Sequence, residues 1–391
     1  MSEMSLYKKI LVVSVLVLTL IAIFGYLFKD NIKSLLFSPH SPKSESIGVV
    51  AKDVSNVDKE GVQVIEIIAE NLSIPWDIDF LPSGDLLVTE RAGRLIRLGK
   101  DRKIFDIEGV EHKGEGGLLG LAIHPDFERN NFIYLYLTTS ENGQITNRVE
   151  RYVFSDDELK DREVIISHIP GFSYHDGGRI DFGPDGSLYI TTGDAGNKDS
   201  AQNKNSLSGK ILRVDDNGIV PPDNPFWNEV YSYGHRNPQG LAWDESGRLW
   251  STEHGPSGLG SGFDEINLIE PGANYGWPVI QGDEEGEGMI SPVLQSGPDY
   301  TWAPASATYW DGGIFFGGLR GTSLYEAVLD GDRIVDIKVH FNGEYGRIRT
   351  TALSPDGFLY ITTSNRDGRG SPGSGDDKII KINPSIFRSD K

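Results

Sequence analysis

The chain has 391 residues, with 57 acidic against 37 basic side chains and a formal net charge of −20. A field of that sign repels phosphate backbones, which argues against nucleic acid as a partner and favours an exposed, soluble surface. Cysteine is absent, so disulfides, thiolate metal sites and a cysteine nucleophile are excluded and the compartment cannot be read from redox chemistry.

Lys8 and Lys9 close a short N-terminal segment, residues 1–9, ahead of an uncharged apolar run from Ile10 to Phe28. At 1.5 Å per residue a helix over this run reaches about 28 Å, about one hydrocarbon core. No small-x-small cleavage pattern follows it. The run therefore predicts an uncleaved transmembrane signal anchor over 10–28 with residues 1–9 cytoplasmic, although Lys29 and Lys33 weaken the charge bias. The expected location is the cell membrane, single-pass, with the rest of the chain extracellular or periplasmic. Residues 29–61, with Ser-Pro-His-Ser-Pro-Lys-Ser-Glu-Ser46 in their middle, have linker composition.

In the remaining segment, 62–391, one pattern recurs: an extended apolar stretch, a Pro/Asp-x-Gly turn and a second β-rich stretch. It runs from Trp76 to Glu90, from Arg179 to Thr192, from Gly240 to Glu253 and from Thr351 to Thr363. Each copy reads as a hairpin. A variant with a longer turn spans Gly120 to Tyr136, and a degenerate sixth unit is predicted from Gly312-Gly-Ile-Phe-Phe316 to Ser323–Leu329. Six units of three or four strands predict an all-β, six-bladed β-propeller following an N-terminal transmembrane helix. In such a fold the loops at one mouth of the central channel make the site.

Those loops carry the chemistry. His175 in Tyr174-His-Asp-Gly-Gly-Arg179 precedes one hairpin and Asp194 in Thr192-Gly-Asp194 follows it. The two strands are antiparallel, so both residues lie near the same end of the sheet. An aspartate that accepts from an imidazole fixes its tautomer and supports its protonated form, as a general base requires, whereas a lone loop histidine is merely solvated. Further on come Tyr233-Gly-His-Arg-Asn-Pro-Gln-Gly240, Glu253-His-Gly-Pro256, Asp264-Glu-Ile-Asn267 and Asn274-Tyr-Gly-Trp-Pro278. Gly, Pro and Asn at this density let the backbone approach a ligand and turn carbonyls toward a hard cation.

Together with Gly114-Glu-Gly-Gly-Leu-Leu-Gly120, His-Pro-Asp-Phe127 and Arg347-x-Arg349, these motifs resemble, from about Asn71 to Pro384, the soluble quinoprotein family of pyrroloquinoline quinone (PQQ)-dependent glucose and aldose sugar dehydrogenases. The short loops are more similar to the aldose sugar dehydrogenase branch. The resemblance implies oxidation of an aldose to its lactone, with PQQ and Ca2+ as cofactors and an external electron acceptor, a quinone or redox protein. It implies that His175 is the base, Asp194 its partner, and that Arg236 and Asn237 hydrogen-bond the quinone end. It implies further that the carbonyls of Gly255 and Pro256 hold the cofactor calcium, that Arg320, Arg347 and Arg349 meet the cofactor's carboxylates, and that Trp302 covers its plane. Arg347 and Arg349 taken alone, two apart on a strand, would equally share a face that meets surface acids. Glu265 with the carbonyl of Tyr275 resembles a second, structural calcium site; a plain hydrogen-bonded turn is the alternative.

Two positions depart from the family pattern. Glu115 stands near the cofactor where the family usually has glutamine, and a carboxylate there would repel an anionic cofactor or recruit a cation. Arg320 replaces a lysine of the soluble glucose enzymes. Two other functions fit a propeller of this kind: a calcium-dependent sugar lactonase, whose metal rests mainly on acidic and amide side chains, and a membrane-tethered binding propeller without catalysis.

Overall fold

The computed structural model describes residues 64–256 and 262–388, with two isolated positions, Val15 and Thr19. The anchor expected over 10–28 and the linker lie outside the described residues, among which no helix is long and apolar enough to cross a membrane.

The described residues form six four-stranded antiparallel sheets. Blade one comprises Pro75–Phe80, Leu86–Glu90, Arg94–Leu98 and Arg102–Asp106, and blade two Leu118–Ile123, Phe132–Glu141, Gln144–Ser155 and Glu158–Pro170. Blades three, four and five begin on inner strands Ile180–Phe182, Pro238–Trp243 and Pro304–Trp310. Blade six takes three strands from Ile348–Leu353, Leu359–Thr363 and Ile379–Ile382, and its outermost strand is Ile65–Ala69, paired antiparallel with Ile65 opposite Ile382. The ring is thus closed by joining its two ends in one sheet, which leaves no blade to fray alone.

The repeated hairpins are the inner strand pairs of blades one, two, three, four and six. Blade five is a correction. Its inner pair is Pro304–Trp310 with Gly313–Gly318, and the predicted unit fell on its second and third strands. Asp311 and Gly312, both at positive φ, make a two-residue turn, so the Pro/Asp-x-Gly marker is missing there.

The threonine near the end of each hairpin repeat has a definite task. Inner strands bulge as they leave the mouth, at Pro75/Asp77, Pro238/Gly240 and Ile348/Thr351. A threonine hydroxyl from the second strand accepts a main-chain N–H at the head of the inner strand: Asp77 to Thr89, Arg179 to Thr191, Thr350 to Thr362. Thr89 and Thr252 donate onward to the carbonyls of Leu119 and Ala305 in the next blade, at 2.6 and 2.7 Å. Thr89 thus both satisfies its bulge and fastens neighbouring blades. Apolar side chains of facing sheets, such as Tyr134, Tyr136, Leu188 and Leu212 between blades two and three, fill the interblade cores.

Candidate active site

Inner strands begin at one mouth and second strands return to it. This topology brings the loops carrying Glu115, His175, Asp194, Arg236, Asn237, Gly255, Pro256, Glu265, Trp302, Arg320, Arg347 and Arg349 to a single face. Tyr275 reaches it differently. After Glu265–Ile269 the chain crosses to the outer edge of blade three, where Asn274 bridges Tyr233 in parallel, and climbs back to the mouth.

His175 sits at φ 60°. Its Nδ1 lies 2.8 Å from Asp194 Oδ1, and the side chains are 14% and 3% exposed. Asp194 also accepts from the Gly196 amide at 2.9 Å and, through Oδ2, from the Trp277 indole at 2.9 Å. Burial alone would raise the Asp194 pKa. The bond and charge of His175, with the amide and the indole, outweigh it and leave the carboxyl below its usual value. A Cβ at Gly193 would stand 1.9 Å from the His175 carbonyl, so only glycine lets the two loops meet.

Arg236 is buried, donates to the His254 carbonyl at 3.2 Å and lies 5.5 Å from the Trp277 ring. Its main chain is fixed by Glu253, whose Oε1 accepts from the amides of Arg236 and Asn237 while Oε2 meets His235 Nδ1 at 2.8 Å. Asn237 Oδ1 accepts from the Gly177 amide at 3.0 Å. Arg349 stands over the Trp76 ring and donates to Gln239 at 3.2 Å. Burial, aided by Arg91 and Arg347 nearby, lowers its pKa to about 9. Arg347 already has a carboxylate, Asp367 at 2.7 Å, and donates to the Leu319 carbonyl. The Arg320 amide donates to the Trp302 carbonyl at 3.1 Å. The Trp302 ring is 7% exposed and packs edge-on against Phe316.

Asn237 Nδ2, His254 Nε2 and Arg349 Nε are buried and find no hydrogen-bond partner among the described residues. They come from different loops, and His254 and Arg349 line one narrow cavity with Trp76, Glu115, Gln239 and Arg369. Buried donors are expensive unless paired; a planar, acceptor-rich ligand would pair them.

The Gly255 amide donates to Asp264 Oδ1 at 2.9 Å, and a Cβ at Gly255 would meet the carbonyls of Gly262 and Phe263 at 2.1 and 2.4 Å. Main-chain oxygens are therefore dense around this turn. Glu265 lies opposite Glu253 in the strand register and accepts from Asn267 at 3.0 Å. Burial and the Glu253 charge push its pKa well up. The Tyr275 hydroxyl donates to Leu268 at 2.6 Å, and its ring stacks on His235.

The expected repulsion at Glu115 is resolved by a residue the sequence reading did not name. Glu115 Oε1 meets Arg369 at 2.7 Å and Oε2 accepts the His175 main-chain N–H at 3.0 Å. Arg369 lies in the glycine-rich loop 366–375, and that composition was its only signal. Trp277, inside a quoted motif but given no role, is the other omission; only the fold brings it to Asp194.

Comparison with known proteins places this mouth in context. A family model described as glucose / sorbosone dehydrogenase matches residues 72–372. The aldose sugar dehydrogenase YliI of Escherichia coli is 30% identical over 356 residues, spanning 82% of this chain and 92% of that protein. Quinoprotein glucose dehydrogenase B of Acinetobacter calcoaceticus is 33% identical over 261 residues, 57% of this chain and 54% of its own. The PQQ-bound structure of an aldose sugar dehydrogenase from Streptomyces coelicolor matches with a TM-score of 0.76 at 39% identity, covering 82% of this chain and 96% of that one.

Proposed function

The chain belongs to the glucose / sorbosone dehydrogenase family, and from that premise we propose that it oxidises aldose sugars at the anomeric carbon to lactones, with PQQ and calcium at the mouth and electrons passing to an external acceptor. The observation that carries the reading is the His175–Asp194 pair beside three orphaned buried polar groups. The residues present fit PQQ: Asn237 Nδ2 and Arg349 Nε suit its carbonyl and carboxylate oxygens, and Arg236 and Arg320 add positive charge. When bound, PQQ supplies the hydride acceptor.

The chain's own residues do the rest. His175 keeps Nδ1 on Asp194 and thereby leaves Nε2 to take the proton of the anomeric hydroxyl. Asp194 stabilises the imidazolium so formed, and Trp277 fixes Asp194 in turn. Arg236, buried and stacked near Trp277, is held by Glu253 and His254 and faces charge as it develops. The carbonyls of Gly255 and Pro256 would hold calcium, in a turn where main-chain oxygens crowd. A cation by Glu265 and the Tyr275 carbonyl would relieve the Glu253–Glu265 repulsion. We further propose that the Ile10–Phe28 run tethers the domain to a membrane with the mouth outside the cytoplasm.

The test is reconstitution of residues 64–391 with PQQ and calcium, followed by aldose-dependent reduction of a dye. Turnover that needs both additions and vanishes in His175→Ala is expected. Absence of PQQ binding would replace this reading with that of a binding propeller.

A further inference from the structure

Glu115 departs from its family, and its surroundings show what it does. Gly114, at φ 63°, lies so close to the next loop that a Cβ would stand 2.1 Å from the Ser173 carbonyl, and the Glu115 amide donates to that carbonyl at 3.0 Å. The side chain then turns back and accepts the His175 amide at 3.0 Å. Ser173 and His175, two residues apart and ending at the base, are therefore both laced to the Gly114-Glu115 dipeptide in the loop that leads into blade two. His175 occupies the left-handed region, which a non-glycine residue holds only when its neighbours impose it. From the loop of blade six Arg369 binds the other carboxylate oxygen.

We infer that Glu115 and Arg369 form a charge-compensated strap that positions His175, so that Glu115 is a positioning residue for the base and Arg369 shields an anionic ligand from it. The inference rests on reading His175 as the base. A glutamine would accept the same amide through a neutral bond. A carboxylate accepts it through a stronger, charge-assisted one, and a guanidinium is then required to cancel the repulsion of a polyanionic cofactor. Other charged and titratable groups act on this corner: Asp194 is bonded to His175, and Arg91, Asp176, Arg236 and His254 are electrostatically coupled to Glu115. The Glu115 carboxyl itself is held low, at about 2, because Arg369 and the His175 amide outweigh its burial.

Glu115→Gln, Arg369→Gln and the double variant test this, each checked by thermal melting for a native fold. In cofactor-free protein, the His175 main-chain amide followed by NMR should exchange with solvent deuterium at least about tenfold faster in Glu115→Gln, which holds it by a neutral bond instead of a charge-assisted one. In reconstituted enzyme kcat should fall about fivefold or more with KM little changed. Arg369→Gln should weaken PQQ binding about tenfold, followed by tryptophan fluorescence, and the double variant should recover most of that loss. An unchanged His175 amide exchange in Glu115→Gln, or a double variant that binds PQQ as poorly as Arg369→Gln, overturns the strap. The amide-exchange measurement needs neither PQQ nor turnover, so failure of the dehydrogenase reading is told apart from failure of the strap.

Discussion

Asp194→Asn isolates the electrostatic part of the base's support with little change in shape. In the wild type, Asp194 Oδ1 meets His175 Nδ1 and the Gly196 amide, and Oδ2 takes the Trp277 indole. An asparagine oxygen can replace Oδ1, but its amide then faces the indole N–H, donor against donor. Two unit charges about 4 Å apart attract by about 4 kcal/mol at an effective dielectric near 20. The neutral hydrogen bond is weaker than the charge-assisted one by about 1 kcal/mol. Water reaching the His175 edge reduces the sum, leaving about 3–4 kcal/mol, or roughly 150- to 900-fold in kcat. Because the lost interaction exists fully only when His175 is protonated, the loss falls on kcat more than on KM. Stopped-flow reduction of the bound cofactor at saturating sugar measures it. A loss below about fivefold in a variant that binds PQQ normally, or one confined to KM, refutes the assignment of Asp194 as the base's electrostatic partner.

Other perturbations separate stability from function. Arg349→Met removes a buried guanidinium whose pKa burial lowers to about 9 and whose Nε is unpaired. The melting temperature of the apo protein should rise, by the equivalent of about 1 kcal/mol or more, while PQQ binding weakens at least about 100-fold by fluorescence titration. Glu115, with its pKa depressed to about 2 from 4.5, contributes stability that is complete above about pH 4.5 and is lost as pH falls through 2. The bare shift corresponds to about 3 kcal/mol, and screening at the half-exposed Arg369 reduces it to about 1–2. Melting curves of Glu115→Gln should therefore converge on wild type near pH 2 and fall below it at pH 6. A chain starting at Asn71 lacks Ile65–Ala69 and leaves Ile379–Ile382 as an open edge; it should melt well below one starting at Val64, or aggregate.

Legibility in the sequence followed the range of the interactions. The hairpins were readable because a turn and its two strands are neighbours, and where the turn shrank to Asp311-Gly312 the phase slipped by one strand. The closing strand was not readable as blade six, since Ile65 pairs with Ile382 and nothing local to Ile65-Glu-Ile-Ile-Ala69 announces that partner. His175 and Asp194 could be joined by counting along one hairpin. Trp277 and Arg369 could not, because each meets its partner, Asp194 or Glu115, from a distant part of the chain, and Glu115 looked anomalous for the same reason: its counter-charge lies 254 positions away.

The path of the first strand also fixes the handling of the whole molecule. Ile65 opposes Ile382, and Ile382 pairs with Leu359 at the strand ends farthest from Thr363 and the mouth. The chain therefore comes into the propeller, and leaves it through Pro384–Arg388, on the side opposite the ligand loops. Whatever is joined to either terminus, a lipid-embedded segment, an affinity tag or an electrode linker, pulls from the back of the ring. The open face points away from that attachment, and under the function proposed above it is there that a sugar would enter and a carrier would collect electrons.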